Sequence, residues 1–423
     1  MPKSLDSAKK SYKPSLWQRL DWRQALAIDL GSNEIRIFRA NLRQKKQMEV
    51  LNIDQACVAI KRGSPSSQAK VLAIGRDALE MRERLGDEVE VIFPIIAGRI
   101  IDEKLAKLLL RELLKRALRV DRILPFVISP VVVVTVKAGT SEFSRRCLSR
   151  LFYDLGASEV HLLLEPLAAA IGVGVPIADA SGVMLMQMGA VGVEAAALSL
   201  GSVVSFQSNL WTGTVAGWEL DELLRAYLVK KYHLLVTLEA SESLKKRITL
   251  RASDALADDG DNADGVGNDG SGDGGVGDGG DTNHAQNRVK KALNKQDQDL
   301  PTKDLPTKDL ITLVGRDLIS QKAKTITVSN QELVMAIKPV IEDYIFLIER
   351  LMEEMPNALL ADVLDRGLLL SGNLAKLPGL DQFLAQALKM PVALVDDPDL
   401  AVATGALTVL ENLELFKASL AYA

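Results

Sequence analysis

The run Asp29–Leu30–Gly31–Ser32–Asn33 follows a short apolar segment, Ala25 to Ile28, and precedes a second β-like segment, Ile35 to Ala40. A strand–turn–strand unit of this composition can aim backbone N–H groups at a phosphate while its aspartate holds a metal through water. Asp-x-Gly also ends many ordinary turns, so this pattern alone leaves both readings open. Far downstream, Glu165–Pro166 closes the apolar run His161 to Leu164 and opens Leu167–Ala168–Ala169–Ala170–Ile171–Gly172. A carboxylate fixed at a strand end, beside a helix of small residues that packs closely, can orient an attacking water for phosphoryl transfer.

Other patterns invite chemistry and carry less. Gly265–Val266–Gly267–Asn268–Asp269–Gly270 has the spacing of a dinucleotide loop. It follows no strand and opens no helix, so it has no helix N-terminus on which to seat a pyrophosphate. Asp259, Asp261 and Asp264 hint at a calcium loop, yet no Glu occurs between Glu242 and Glu332 to close one. Cys57 and Cys147 stand far apart, and His161, His233 and His284 share no metal-ligand spacing. A disulfide framework or zinc site is not expected, and a reducing cytoplasm fits the cysteine usage.

The elements that must position Asp29 and Glu165 read as α/β. In 423 residues, 48% hydrophobic, there is apolar material for more than one core. Met48 to Ile53, Ala56 to Ile60 and Val71 to Ile74 read as a small sheet. Leu105, Leu109 and Leu113 line one face of a helix, and Val131 to Val136 is a buried strand. Gly139, Thr140 and Ser141 open a helix with a hydroxyl at its N-cap. Gly182 to Met188, Val193 to Leu200 and Val203 to Asn209 form an antiparallel set. The stretch from Ala195 to Trp218 has no charge, but its Ser, Gln, Asn, Thr and Gly content reads as strands and turns rather than a membrane span. Helices follow over Glu219 to Tyr232, Glu239 to Arg247 and Gln331 to Met355, then strands at Gly367 to Leu370 and Val392 to Val395, and a closing helix from Leu400 to Leu415. Between them Ser253 to Asp281 is Gly and Asp with almost no bulky apolar residue, and LPTKD then occurs twice. Such a segment cannot offset its ordering entropy, so residues 253–310 are expected to be a disordered insertion. The net charge of −4 argues against nucleic acid as a partner.

The two phosphate-directed motifs, in this order and separation, resemble the actin, sugar-kinase and heat-shock-chaperone superfamily. Within it the chain is most similar to the rod-shape-determining MreB family. The resemblance includes Glu142–Phe143–Ser144–Arg145–Arg146, Lys230–Lys231–Tyr232–His233–Leu234–Leu235, Glu242–Ser243–Leu244–Lys245, Asp365–Arg366–Gly367 and Asp397–Pro398. It implies an actin-like, ribonuclease-H-like duplicated fold of two lobes around a central nucleotide cleft, with ATP and magnesium as ligands. Residues 1–24 would be a basic amphipathic segment and 25–155 a first lobe with a small subdomain at about 41–92. A second lobe would span 156–415, and residues 400–423 would return to the first lobe. By resemblance Asp29, Gly31, Ser32 and Asn33 form the first phosphate loop, Asp29 supports magnesium through water, and Glu165 positions the hydrolytic water. Gly189 belongs to the second phosphate loop, Glu242 and Lys245 face the adenosine, and Ser371 and Gly372 sit in the adenosine loop.

The second loop departs from the family's Asp-x-Gly-Gly-Gly-Thr-Thr. Gln187 is neutral, Val191 stands where a glycine at positive φ is expected, and Gly192 and Val193 replace hydroxyl donors. Asn373 and Leu374 replace glycines of the adenosine loop, and Glu34 sets a negative charge near the phosphates unless it turns outward. The resemblance implies an ATPase, and these departures argue against efficient hydrolysis. It also implies a cytoplasmic filament former that associates with itself and with cell-wall or division proteins. Leu16, Trp17 and Leu20 share a helical face, so residues 14–22 could rest on the inner membrane surface or pack against the folded body. The alternative is a non-hydrolysing actin-fold scaffold that recruits partners without polymerising.

Overall fold

The computed structural model describes residues 25–39, 49–63, 70–118, 129–209, 216–251, 309–416 and 420. The segment 14–22 and nearly all of the insertion 253–310 lie outside the described residues. Strand β1 (Ala25–Leu30) is buried along its whole length, as an apolar run flanked on both edges must be. It pairs antiparallel with β2 (Glu34–Arg39), which pairs with β3 (Glu49–Gln55). The expected grouping of Met48 to Ile53 with the small sheet is therefore corrected. Pairing with β2 satisfies an edge that would otherwise leave N–H and C=O groups open, and it lays Leu51 on the core of this half. The small sheet consists instead of β4 (Val58–Lys61), β5 (Val71–Ile74) and, after helix α1 (Arg76–Leu85), β6 (Val89–Ile92).

The hairpin β7 (Ile95–Ile96) and β8 (Arg99–Ile100) leads into α2 (Glu103–Leu118), which buries Leu105, Leu109 and Leu113. Strand β9 (Val131–Val136) runs parallel to β1. Helix α3 (Glu142–Asp154) starts where Ser141 Oγ accepts the Ser144 N–H at 3.2 Å. Strand β10 (Glu159–Leu164) lies parallel to β9 and completes the order β10-β9-β1-β2-β3.

Helix α4 (Glu165–Gly172) crosses to the second sheet, where β11 (Val183–Met188), β12 (Val193–Ser199) and β13 (Ser202–Ser208) are antiparallel neighbours. Helix α5 (Gly217–Tyr232), the short β14 (Leu234–Leu235) and α6 (Leu238–Lys245) follow. Strands β15 (Leu310–Asp317) and β16 (Ala323–Ser329) extend β14 into a sheet. Then come α7 (Asn330–Glu354), α8 (Asn357–Arg366), β17 (Leu368–Ser371), α9 (Leu380–Leu388) and β18 (Val392–Leu394). The closing helix divides at Asn412 into α10 (Ala401–Glu411) and α11 (Leu413–Phe416). The order β13-β12-β11-β17-β18 repeats the first sheet strand for strand, with the same parallel and antiparallel pairings. The molecule is a duplication. The uncharged stretch from Ala195 contributes to β12 and β13, and among the described residues no helix is long and apolar enough to cross a membrane.

Between the sheets lie α4 and α10, whose core joins Ala27, Phe38 and Val133 of the first sheet to Leu185 and Ala196 of the second. Their backbones touch. A Cβ on Gly405 would overlap the Ala168 carbonyl, and one on Gly172 would overlap the Ala401 carbonyl. Small residues in this crossing fix how near the two sheets can stand.

Candidate nucleotide cleft

Ligand crevices in α/β proteins open at the C-terminal ends of parallel strands, and here those of β1, β9 and β10 bring three charges together. Ile28 is in register with Val134, and Leu164 with Val136. Lys137 and Glu165 therefore emerge side by side, with Asp29 two positions back beside Thr135. Lys137 Nζ donates to Glu165 Oε2 at 2.9 Å, with both side chains nearly sealed from water. Burial raises the Glu165 carboxyl to about 7 against the pull of Lys137, with Glu194 and Asp29 adding to the rise. Burial alone would lower the Lys137 ammonium, but Glu165 and Glu194 outweigh it and hold it above its ordinary value.

The first hairpin is tied in the same way. Asp29 Oδ2 accepts from Arg36 Nη1 at 3.0 Å, and Asp29 Oδ1 accepts the Thr135 hydroxyl at 3.2 Å. Arg36 Nη2 donates to Glu34 at 2.7 Å, and Gln55 Nε2 donates to the other Glu34 oxygen at 3.2 Å. Glu34 thus lines the cleft with a neighbouring guanidinium to offset its charge. Gly31 and Asn33 line the cleft too, and Ser32 Oγ accepts the Ala97 N–H at 2.8 Å.

The second hairpin faces the first. Gln187 and Glu194 are cross-strand partners on β11 and β12. Glu194 is fully buried and accepts the N–H groups of Ala138 and Gly139 at 3.1 and 3.0 Å, joining the second sheet to the loop after β9. Gln187 is 8% exposed, and its Oε1 has no hydrogen-bond partner. The positive φ expected at Val191 falls on Gly192, at 84°. The turn closes by Gly189 N–H donating to Gly192 C=O at 3.3 Å, and a glycine takes the left-handed position without strain. The first amides of α5 are spent on this loop, since Gly217 N–H and Trp218 N–H donate to the carbonyls of Gly189 and Ala190 at 3.2 and 3.0 Å.

The cleft between the hairpins has a volume of about 1730 Å³ and takes lining residues from both halves of the duplication, Gly189, Glu242, Lys245 and Gly372 among them. Glu242 and Lys245 do not pair with each other. Glu242 pairs with Lys246 at 3.0 Å, one turn on, while Lys245 donates to Asp221 at 2.7 Å and to Gly217 C=O at 2.9 Å. Gly372 N–H and Ser371 Oγ both donate to Pro398 C=O, at 2.7 and 3.3 Å. Ser371 is fully buried and backs the loop rather than lining the cleft. At the rim, Phe93 of the first half meets Trp218 of the second edge-on, with ring centroids 4.7 Å apart.

Sequence reasoning missed Arg36, Lys137 and Glu194, and they change the cleft's chemistry. The donor set does not suit magnesium. Both oxygens of Asp29 are engaged, Gln187 brings no charge, and an ammonium and a guanidinium already sit among the carboxylates. One consequence is pH-dependent. Between about 4.5 and about 7 the folded chain holds a proton on Glu165 that the unfolded chain has lost. Its contribution to stability therefore falls as pH rises through that window. Relative to wild type, Glu165→Gln should gain about 2–4 kcal/mol between pH 4.5 and pH 8. Denaturant titrations at the two pH values measure this, and an unchanged difference would show that Glu165 titrates normally.

A family model described as MreB/Mbl protein matches residues 23–264 and 284–418. The cell shape-determining protein MreB of Escherichia coli (strain K12) is 27% identical over 390 residues, covering 92% of this chain and 94% of the relative. The cell shape-determining protein Mbl of Bacillus subtilis (strain 168) is 25% identical over 389 residues, covering 92% and 96%. Among solved structures, MreB5 of Spiroplasma citri bound to AMPPNP matches with a TM-score of 0.70 at 18% identity, over 93% of this chain and 97% of that one. The MamK double helical filament matches at 0.61 and 16% identity, over 92% and 99%. The duplicated sheets and the cleft between them are thus the actin-like fold, and the chain belongs to the MreB/Mbl protein family.

Proposed function

We propose that this chain is a filament-forming cytoskeletal protein of cell-shape control whose cleft binds an adenine nucleotide and hydrolyses it poorly. The observation that carries this reading is the pair of hairpins facing each other across a cleft of about 1730 Å³, with Glu165 locked onto Lys137 at 2.9 Å beside them. The loop at Asp29, Gly31, Ser32 and Asn33 and the turn at Gly189 would enclose the phosphates. Glu242 and Lys245 stand on the adenosine side, and Ser371 supports the Gly372 loop. Glu165 would have to accept a proton from water during phosphoryl transfer. Burial raises its carboxyl to about 7, but its Oε2 already accepts from the Lys137 ammonium, which occupies an oxygen that would take the proton. The names of the relatives, cell shape-determining proteins and a double helical filament, support self-assembly and a role in shape.

Electron microscopy of the purified chain with ATP should show filaments. Their absence with ATP, with ADP and on lipid would leave the non-polymerising scaffold as the better reading. Phosphate release should stay near background and be insensitive to Glu165→Ala. A rate that this substitution abolishes would overturn the account of a disabled base. Removing the residues before Asp21 should reduce liposome co-sedimentation if the segment 14–22 is the membrane contact.

A further inference from the structure

We infer that the cleft holds its nucleotide's phosphate tail with fixed side-chain cations, Arg36 and Lys137, in place of a divalent metal, so that binding is metal-independent. This rests on the reading that the cleft takes a nucleotide. Lys137 emerges at the end of β9, lines the cleft, and places Nζ 3.8 Å from where a Cβ on Gly189 would lie. It therefore sits between the two hairpins that would enclose the phosphates. Arg36 projects from β2 into the same cleft, beside the first loop.

Both cations are anchored from behind by carboxylates, Lys137 by Glu165 and Arg36 by Asp29 and Glu34. Each keeps further N–H donors beyond those bonds. A cation held in this way needs no reorganisation to meet an incoming anion. The groups a metal would use are withdrawn at the same time. Asp29 is bonded on both oxygens, and the position opposite Glu194 carries the neutral Gln187, whose buried Oε1 has no partner. The ammonium and the guanidinium, although each is paired with carboxylates, place fixed N–H donors where a divalent ion would otherwise bridge the phosphates.

The test is a calorimetric titration of the full chain with ATP, once in excess magnesium and once in EDTA. Equal affinity in the two arms is expected. Affinity that collapses in EDTA would overturn the inference and leave the nucleotide reading standing, whereas no binding in either arm would remove both. Arg36→Leu and Lys137→Gln should each weaken ATP in EDTA by about 10–100-fold. AMP, which lacks the tail beyond its α-phosphate, should bind Arg36→Leu much as it binds wild type. Lys137→Gln can fail to fold, so the wild-type EDTA arm and Arg36→Leu decide the matter. ATP affinity unchanged in Arg36→Leu would contradict the assignment of Arg36.

Discussion

Lys137→Met should lower the free energy of unfolding by about 3–5 kcal/mol, because it leaves buried carboxylates without their counter-ion. The side chain it removes lies between Glu165 and Glu194, with Asp29 adding to the field. Glu194 is fully buried and held by two backbone amides, so it has no route to water. Combining Lys137→Met with Glu165→Gln should recover part of the loss, since the second change removes a buried carboxyl that has lost its donor. The coupling from the double-mutant cycle should be about 1–3 kcal/mol. Urea denaturation measures all three variants. A loss for Lys137→Met near that of an ordinary surface substitution would mean that the pair is solvated and that the cleft floor is looser than described.

Gly405→Val should be at least as damaging, by a mechanism that involves no charge. The added atoms would enter the Ala168 carbonyl on α4, a rigid backbone group that cannot rotate away. Overpacking costs of about 1–3 kcal/mol are typical where side chains can give, and they rise where only backbone can move. The expected outcome is a chain recovered in inclusion bodies or melting well below wild type. Thr408→Ala, on the same helix and half-buried, should change stability by roughly 1 kcal/mol or less. If Gly405→Val folds normally, the α4–α10 crossing is not what spaces the sheets.

Much of the scaffold was legible because its cues are local. The apolar run before Asp29, the Ser141 cap and the Glu165–Pro166 helix start each act within a few residues, and the fold places them as expected. The duplication was implied by the family resemblance, and the matching strand orders of the two sheets bear it out. Electrostatics of the cleft were not legible in the same way. Lys137 follows a strand of five valines and one threonine, and Glu194 sits alone in the otherwise uncharged strand Val193–Ser199. A single charge in a buried strand signals a partner, but only tertiary contact names it. The Glu194 partners are amides 55 and 56 residues away. Lys245 shows the same limit, because Asp221 on a different helix pairs with it. The positive φ moved from Val191 to Gly192 because the turn placed its strained position where a glycine was available.

The edge-on contact of Phe93 with Trp218 joins the two halves at the rim of the cleft. Any hinge motion that widens the cleft must part these rings and let water reach the indole, shifting its emission to longer wavelength. Trp17, Trp22 and Trp211 lie outside the described residues, and replacing them with phenylalanine would leave Trp218 as the sole indole. Such a motion would then be visible in real time, without a label, in the colour of one residue's fluorescence.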